Sequence, residues 1–380
     1  MNKLVINKLE NKTSLYLYEE DNLVEKYDEY DDKPRLEGNI YLGKVQDVVP
    51  GLQSAFIDIG EEKNALIHLK DLLPKISEST GNENLNINEY DIKKELKVND
   101  MILVQIKRDC TDQKGPRVTK DIKLTGKYVI IMPFSKFITV SQKINDNKRK
   151  ELIINNIKKY LPNGYGAIAR TSSLTASEKD IENDIQTLLS LWNEIDTNSK
   201  QIKEDEKIPK KLYDNKGIIG KIILDMSPLG LEIETNSQKL KDEINKFYPN
   251  IPIEVKDIVN LEEDNRKIWL KCGGFITIDK TEALTAIDVN SGKFTGKKHL
   301  EDTVLKVNLE ATEEIAKQIR LRDIGGIIII DYIDMDEDED KNIIIETMKN
   351  ALKTDRSKVQ VLEFTKLGLL EMTRKHMLGR

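Results

Sequence analysis

The sequence predicts a multidomain α/β protein, and three observations carry that prediction. At 380 residues the chain is long enough for about two to four domains. Between Gly38 and Leu124, short apolar runs are broken by Gly and Pro at spacings that suit a small closed barrel. From Thr281 to Met335, an apolar run, a helical pattern and a second apolar run follow in turn, which is the order of a strand–helix–strand crossover.

In chain order, residues 1 to about 35 read as short strands, with Leu4, Ile6, Ser14, Tyr16 and Tyr18 near period two. An acidic linker, YDEYDDKPR, leads into the barrel pattern, where Gly43, Gly51 and Gly60 suit tight corners and bulges. Phe56 lies in an alternating strand and, taken alone, reads as core. The polar stretch from Pro74 to Glu95 reads as a long loop without assigned chemistry. Further on, the strand GAIAR ends in Arg170 and Thr171, followed by Ser172 and Ser173. Arg matches phosphate bidentately and Thr adds a hydroxyl donor, although the plainer reading is an exposed Arg before a helix-capping Ser. Helices are expected to about Lys211, ending in a charged linker. Residues 216 to 278 read as strands and a helix, with GIIGKIILD taken as a strand and Asp225 and Glu232 as exposed strand positions. From Asp336 a helix with an acidic first turn, a strand VQVLEF and a basic tail complete the chain.

Composition narrows the chemistry. Charged residues make up 33% and no apolar run approaches the ~20 residues that cross a bilayer, so a cytoplasmic protein without a membrane span is expected. Cys110 and Cys272 stand far apart, which fits a reduced compartment better than a disulfide framework. Three histidines are too few for a His-based zinc site or triad, so hydrolytic chemistry is pushed towards carboxylates and a hard metal. The net charge of −6 argues mildly against a nucleic-acid partner, but local clusters stand against it: Lys293, Lys297 and Lys298, and Lys317, Arg320 and Arg322. The helix charges equally suit a solvated face near a helix C-terminus.

The crossover is where chemistry concentrates. Ala283–Val289 delivers Asp288, with Asn290, Ser291 and Gly292 as a turn, and Ile327–Ile330 delivers Asp331. Between them Val304, Leu305, Leu309, Ile315, Ala316 and Ile319 recur at helical spacing. Two adjacent strands of a mostly parallel sheet would bring Asp288, Asn290 and Asp331 together, an oxygen set that suits Mg²⁺. The same residues also serve ordinary turn chemistry and helix capping.

The spelling TEALTAIDVNSG, with NLEATEEIAKQIRLRDIGGIIIIDYIDM and FTKLGLLEMTR, resembles the ribonuclease E/G family of bacterial endoribonucleases, and the likeness spans essentially the whole chain. The resemblance implies a ribonuclease-H-like fold (1–35 and 216–277) into which an OB-type RNA-binding barrel (36–123) and a 5′-sensor subdomain (124–215) are inserted. A DNase-I-like α/β catalytic subdomain (278–380) follows. It implies a catalytic Mg²⁺ held by Asp288 and Asp331 with Asn290; Asp334, three residues on, is an alternative acid that could support the site from outside, but the family pattern favours Asp331. On the barrel it implies base stacking on Phe56, with Leu66 replacing a second aromatic and Lys114 adding charge. In the sensor it implies that Arg170 and Thr171 grip a 5′-monophosphate, assisted by Gly126 and Ile130. Lys293, Arg322 and Lys358 are candidate phosphate contacts. The implied activity is cleavage of single-stranded A/U-rich RNA in RNA processing and decay, leaving 5′-phosphate and 3′-hydroxyl ends. A non-catalytic RNA-binding or ribosome-associated protein and a DNA nuclease are the rival readings. Larger family members continue with a two-cysteine zinc-linking segment and a small oligomerisation domain. No cysteine lies near the C-terminal end here, so zinc is not expected and a homo-oligomer is left open.

Overall fold

The computed structural model describes residues 2–32, 35–73, 90–110, 114–201, 209–258, 264–292 and 300–377, with backbone alone for 300–303. Two compact units emerge, one from Met1–Lys33 with Leu231–Arg380 and one from Pro34–Gly230. In the first, β1 (Asn2–Lys8), β2 (Lys12–Glu19) and β3 (Asn22–Tyr30) form an antiparallel meander. Asp28 and Glu29 lie within β3, so part of the expected acidic linker is strand.

In the second unit, β4 (Ile40–Val49), β5 (Ser54–Asp58), β6 (Ala65–His68), β7 (Met101–Arg108) and β8 (Arg117–Thr119) pair in the order β4–β5–β6–β8–β7. A further pairing of β7 with β4 closes an OB-like, five-stranded barrel. Single-turn helices α1 (Leu69–Leu72) and α2 (Ile92–Glu95) pack Leu69, Leu72 and Ile92 onto its core. Next come β9 (Leu124–Thr125), β10 (Val129–Met132), β11 (Ile138–Val140) and β12 (Gly166–Ala169), a four-stranded sheet ordered β11–β12–β10–β9. Helices α3 (Asn147–Tyr160) and α4 (Glu178–Gln201) share a core with this sheet through Ile157, Ile185 and Trp192.

Two expectations fail in this unit. The charged stretch expected as linker supplies β13 (Lys210–Tyr213), which pairs with β4 and packs Leu212 and Tyr213 on the core. GIIGKIILD is not a strand but most of α5 (Gly217–Met226), which buries Ile218, Ile222, Ile223 and Met226. Those positions follow a helical period that the run of β-branched residues masks.

Returning to the first unit, β14 (Leu231–Thr235), α6 (Gln238–Phe247) and β15 (Ile253–Val255) extend the N-terminal meander into a sheet ordered β15–β14–β1–β2–β3. A six-stranded sheet follows: β16 (Lys267–Trp269), β17 (Phe275–Lys280), β18 (Leu284–Asn290), β19 (Gly326–Asp331), β20 (Val359–Phe364) and β21 (Leu369–Arg374). Its order is β16–β17–β18–β19–β21–β20, with α7 (Leu300–Leu321) crossing from β18 to β19 and α8 (Asp338–Ala351) after β19. The β18–β19 pair is parallel and the other pairings are antiparallel, which corrects the expectation of a mostly parallel sheet. Short links such as 281–283 and 365–368 permit hairpins, whereas only the long α7 connection permits a parallel return.

One face of this sheet presents Ile276, Ile287, Val289, Ile328, Ile330, Leu370 and Met372 to Val307, Ala311 and Ile315 of α7 and Ile344 and Met348 of α8. The alternate residues project from the opposite face. A buried charge cluster ties β3 to α7 and to the segment before β20. Glu25, 1% exposed, accepts from Arg356 and from Arg320, and the Tyr27 hydroxyl donates to it at 2.7 Å. Arg320 also donates to Glu19.

Burial opposes ionisation of Glu25, but the guanidinium groups of Arg356 and then Arg320 hold its carboxyl down at about 2. The folded value lies below the unfolded one, so the stability it confers is present above the ordinary range near 4.5 and is lost as pH falls towards 2. That contribution is about 3 kcal/mol. Urea unfolding at neutral pH and at pH near 3 is expected to show wild type losing part of this increment. Glu25→Gln, already lower by about 3–5 kcal/mol at neutral pH, should be less sensitive to the same change.

Candidate active site

The parallel register of β18 and β19 sets Asp288 directly opposite Asp331, on strands about 4.8 Å apart. Both are exposed on the face opposite α7 and α8. Asn290, two residues on, keeps the same face and its amide nitrogen donates to Asp288 Oδ2 at 2.5 Å. That contact leaves the amide oxygen as the Asn290 donor atom available to a cation. Asn308 of α7 clamps the chain just beyond Asp331, donating to the Ile333 carbonyl at 2.8 Å and accepting from its N–H at 3.2 Å. Thr312 bonds the buried Tyr332 hydroxyl at 2.8 Å. The core helix thus fixes the backbone that presents Asp331.

Partial burial, then the charges of Asp288 and Asp334, push the Asp331 carboxyl above its usual range. Among the described residues no group of three or more His, Cys, Asp or Glu has the form of a metal cluster, so the donor set here is two carboxylates and an amide. Two facing carboxylates fit a hard divalent cation, and Mg²⁺ needs few protein oxygens because it retains water.

The other candidates divide. Lys293, Lys297 and Lys298 lie outside the described residues. Lys358 adjoins the rung Gly326–Arg374–Val359, five residues along β19 from Asp331, or about 16 Å. There it lines a cavity of about 370 Å³ with Ile327, Gln360, Thr373 and Lys375. Arg322, in the turn before β19, donates from Nε to Gln318 at 2.7 Å. Neither belongs to the acid end of the ladder.

In the second unit, Phe56 is 36% exposed rather than core and pairs across β5–β6 with Leu66, while Leu66 pairs with Arg117, three residues after the exposed Lys114. Phe56, Leu66 and Arg117 therefore share one patch of the barrel wall. Arg170 sits at the end of β12 beside the β9–β10 turn. Its guanidinium donates to the Gly126 carbonyl at 2.5 Å, to those of Lys127 and Leu224, and to the Asp225 carboxylate. Thr171 is exposed, with its hydroxyl 3.0 Å from that of Ser141, and Ile130 is half-buried in β10. Asp225, expected as an exposed strand position, is instead a partly buried helix residue that pairs with the candidate phosphate-binding arginine.

Asp184 of α4 went unremarked in the sequence. Its carboxylate accepts from the backbone N–H groups of Lys127, Tyr128 and Val129 at 2.7–3.0 Å. A Cβ at Gly126 would meet both of its oxygens at 2.5 Å, so glycine is required there by this close approach. Nothing in one sequence links position 184 to position 127.

The molecule thus falls in the class of multidomain α/β proteins with an OB-like barrel and an acid-bearing sheet. The family model for the Ribonuclease E/G family matches residues 123–377. Ribonuclease G of Haemophilus influenzae is 34% identical over 394 residues, covering 98% of this chain and 79% of that protein. Ribonuclease G of Escherichia coli K12 is 32% identical with the same coverage. Ribonuclease E of Synechocystis is 33% identical over 360 residues, covering 89% of this chain and 52% of that protein. The chain belongs to the Ribonuclease E/G family.

Gly126→Ala is expected to destabilise the protein by about 1–3 kcal/mol through overpacking against Asp184. Chemical denaturation reads this directly, and a variant as stable as wild type would mean that the Asp184 contact yields at no cost.

Proposed function

We propose that this chain is an endoribonuclease that cuts single-stranded A/U-rich RNA with Mg²⁺ and prefers 5′-monophosphorylated substrates. The single observation that carries the reading is the direct register of Asp288 with Asp331, both exposed on the sheet face opposite α7 and α8, in a member of this family. Asp288 and Asp331, with Asn290, would hold the ion. When bound, Mg²⁺ supplies charge to a phosphodiester oxygen and lowers the pKa of an attacking water. The protein's own part is to hold two anions in one rung, fixed through Asn308 and Thr312, so that reacting groups meet a preorganised site. Products with 5′-phosphate and 3′-hydroxyl ends follow from that reading.

On the same reading residues 36–123 are the RNA-binding barrel and 124–215 the 5′-sensor. Residues 1–35 with 216–277 form a ribonuclease-H-like part, and 278–380 a DNase-I-like part. Arg170 and Thr171 bind the 5′-phosphate, and Asp225 occupies the guanidinium edge that the phosphate would use. A 5′-phosphate therefore gains Arg170 by exchange with a carboxylate of the same chain. Binding at the sensor lends remote energy to the cleavage step.

Asp288→Asn and Asp331→Asn are each expected to reduce Mg²⁺-dependent cleavage of a short A/U-rich RNA by at least about a hundredfold while RNA affinity persists. Near-wild-type cutting by either variant would remove the acid-pair assignment. For the sensor, the ratio of cleavage rates on 5′-monophosphate and 5′-hydroxyl forms is the readout. Arg170→Ala should bring that ratio towards unity, and Asp225→Asn should raise it. A ratio unchanged in Arg170→Ala would sink the sensor reading, and one lowered in Asp225→Asn would make Asp225 a positioning partner rather than a competitor.

A further inference from the structure

The rungs that contain the acids continue sideways to the sheet edge, and what stands there is aromatic and cationic. Asp331 pairs with Asp288, Asp288 with Thr277, and Thr277 with Lys267. In the next rung Asn290 pairs with Phe275 and Phe275 with Trp269. The intervening Ile276 and Val289 belong to the core and Ile268 packs against it, so Lys267, Trp269, Phe275 and Thr277 share the face opposite α7 and α8 with the acids. Trp269 is 62% exposed, a large apolar area on an edge strand. Its ring meets Phe275 edge-on at 5.3 Å, and Lys267 Nζ lies 4.2 Å from the Trp269 centroid and 3.5 Å from that of Phe275. Rigid support on one side and exposure to solvent on the other describe a stacking platform, not a core side chain.

From these placements we infer that Trp269, braced by Phe275 and Lys267, is a nucleobase-stacking site of the catalytic sheet that seats one base of the single-stranded RNA near the scissile phosphate. Three features select this occupant. Trp269 stands two strands from the Asp288–Asn290 pair, about 10 Å, a span covered by about three stacked nucleotides at ~3.4 Å each. A π-face beside an ammonium is the combination that single strands use, base on ring and phosphate on cation, without a demand for base identity. The acidic rung itself repels the RNA backbone, so a neighbouring apolar and cationic contact is what holds the strand over it. The inference rests on the endonuclease reading of the acid pair.

The test combines binding without metal and cleavage with it. The protein has two tryptophans, and Trp192 is buried. In EDTA, a short A/U-rich RNA is expected to quench Trp269 emission saturably. With Mg²⁺, Trp269→Ala should lose about tenfold in kcat/KM, mainly through KM, while Trp269→Phe stays within about threefold of wild type. Substrates lacking a single base at successive positions flanking the cut should reveal, for wild type, one position with a comparable loss, to which Trp269→Ala is indifferent. No quenching, wild-type cleavage by Trp269→Ala, or an abasic penalty that persists undiminished in that variant would each overturn the proposal. Saturable quenching with no cleavage by wild type would instead overturn the endonuclease reading and leave the stacking site standing.

Discussion

Everything at the acid site depends on the parallel register of β18 against β19. Ile287 and Val289 on one strand, and Ile328 and Ile330 on the other, must all face α7 and α8. A slip of one residue would send those side chains to solvent and the aspartates into the core, so the apolar pattern forbids it. A slip of two would keep every residue on its proper face yet separate the carboxylates by about 7 Å. The buried amide of Asn308 on Ile333 and the Thr312–Tyr332 bond guard against that second error, because they fix β19 lengthwise against the helix. Core packing sets the face, and two polar contacts set the position along it.

The sequence made the acids readable because each closes a dense apolar run, and the crossover readable because Leu305, Leu309, Ile315, Ala316 and Ile319 recur at helical spacing, to which the structure adds Val307 and Ala311 as core. The barrel was legible from Gly and Pro spacing, although its closure through β4 and β7 depends on pairing between distant strands. The misreading of Gly217–Met226 came from composition: isoleucines favour strands, and ten residues are too few for the period to stand out against that bias. The error had a consequence, since it placed Asp225 on an exposed strand and hid its contact with Arg170. Asp184 was hidden for a different reason. A carboxylate on a helix that accepts three amide protons from a distant turn leaves no local mark in the chain. Trp269 was in plain view, but its meaning depends on two strand pairings that carry it onto the acid rungs.

The charge pattern explains how a chain of net charge −6 suits an anionic substrate. Much of its arginine is engaged internally: Arg320 and Arg356 with Glu25, Arg374 with Asp355 and Asp323, Arg117 with Asp71. These guanidinium groups neutralise carboxylates and hold elements together, so they add little to a surface field. On the proposed reading, attraction for RNA would fall to local devices: a cation between facing aspartates, a lysine beside aromatics, and a guanidinium obtainable by exchange. Such devices act at short range, so they specify where a strand lies more than how strongly it is drawn in.

On the proposed sensor reading, exchange at Arg170 would have a quantitative consequence. Were the guanidinium free, a 5′-phosphate would gain a full charge-assisted contact, worth about 1.5–3 kcal/mol. With Asp225 already seated, the phosphate gains only the difference between its own contact and the one it displaces, less the cost of resolvating the carboxylate. Carboxylate and phosphate both match the guanidinium fork, so that difference is small. A sensor built this way would discriminate modestly between 5′ ends, while Asp225 supplies the partly buried Arg170 with an anion. On that reading the same pairing that holds α5 to β12 would limit how much a 5′-phosphate gains from Arg170.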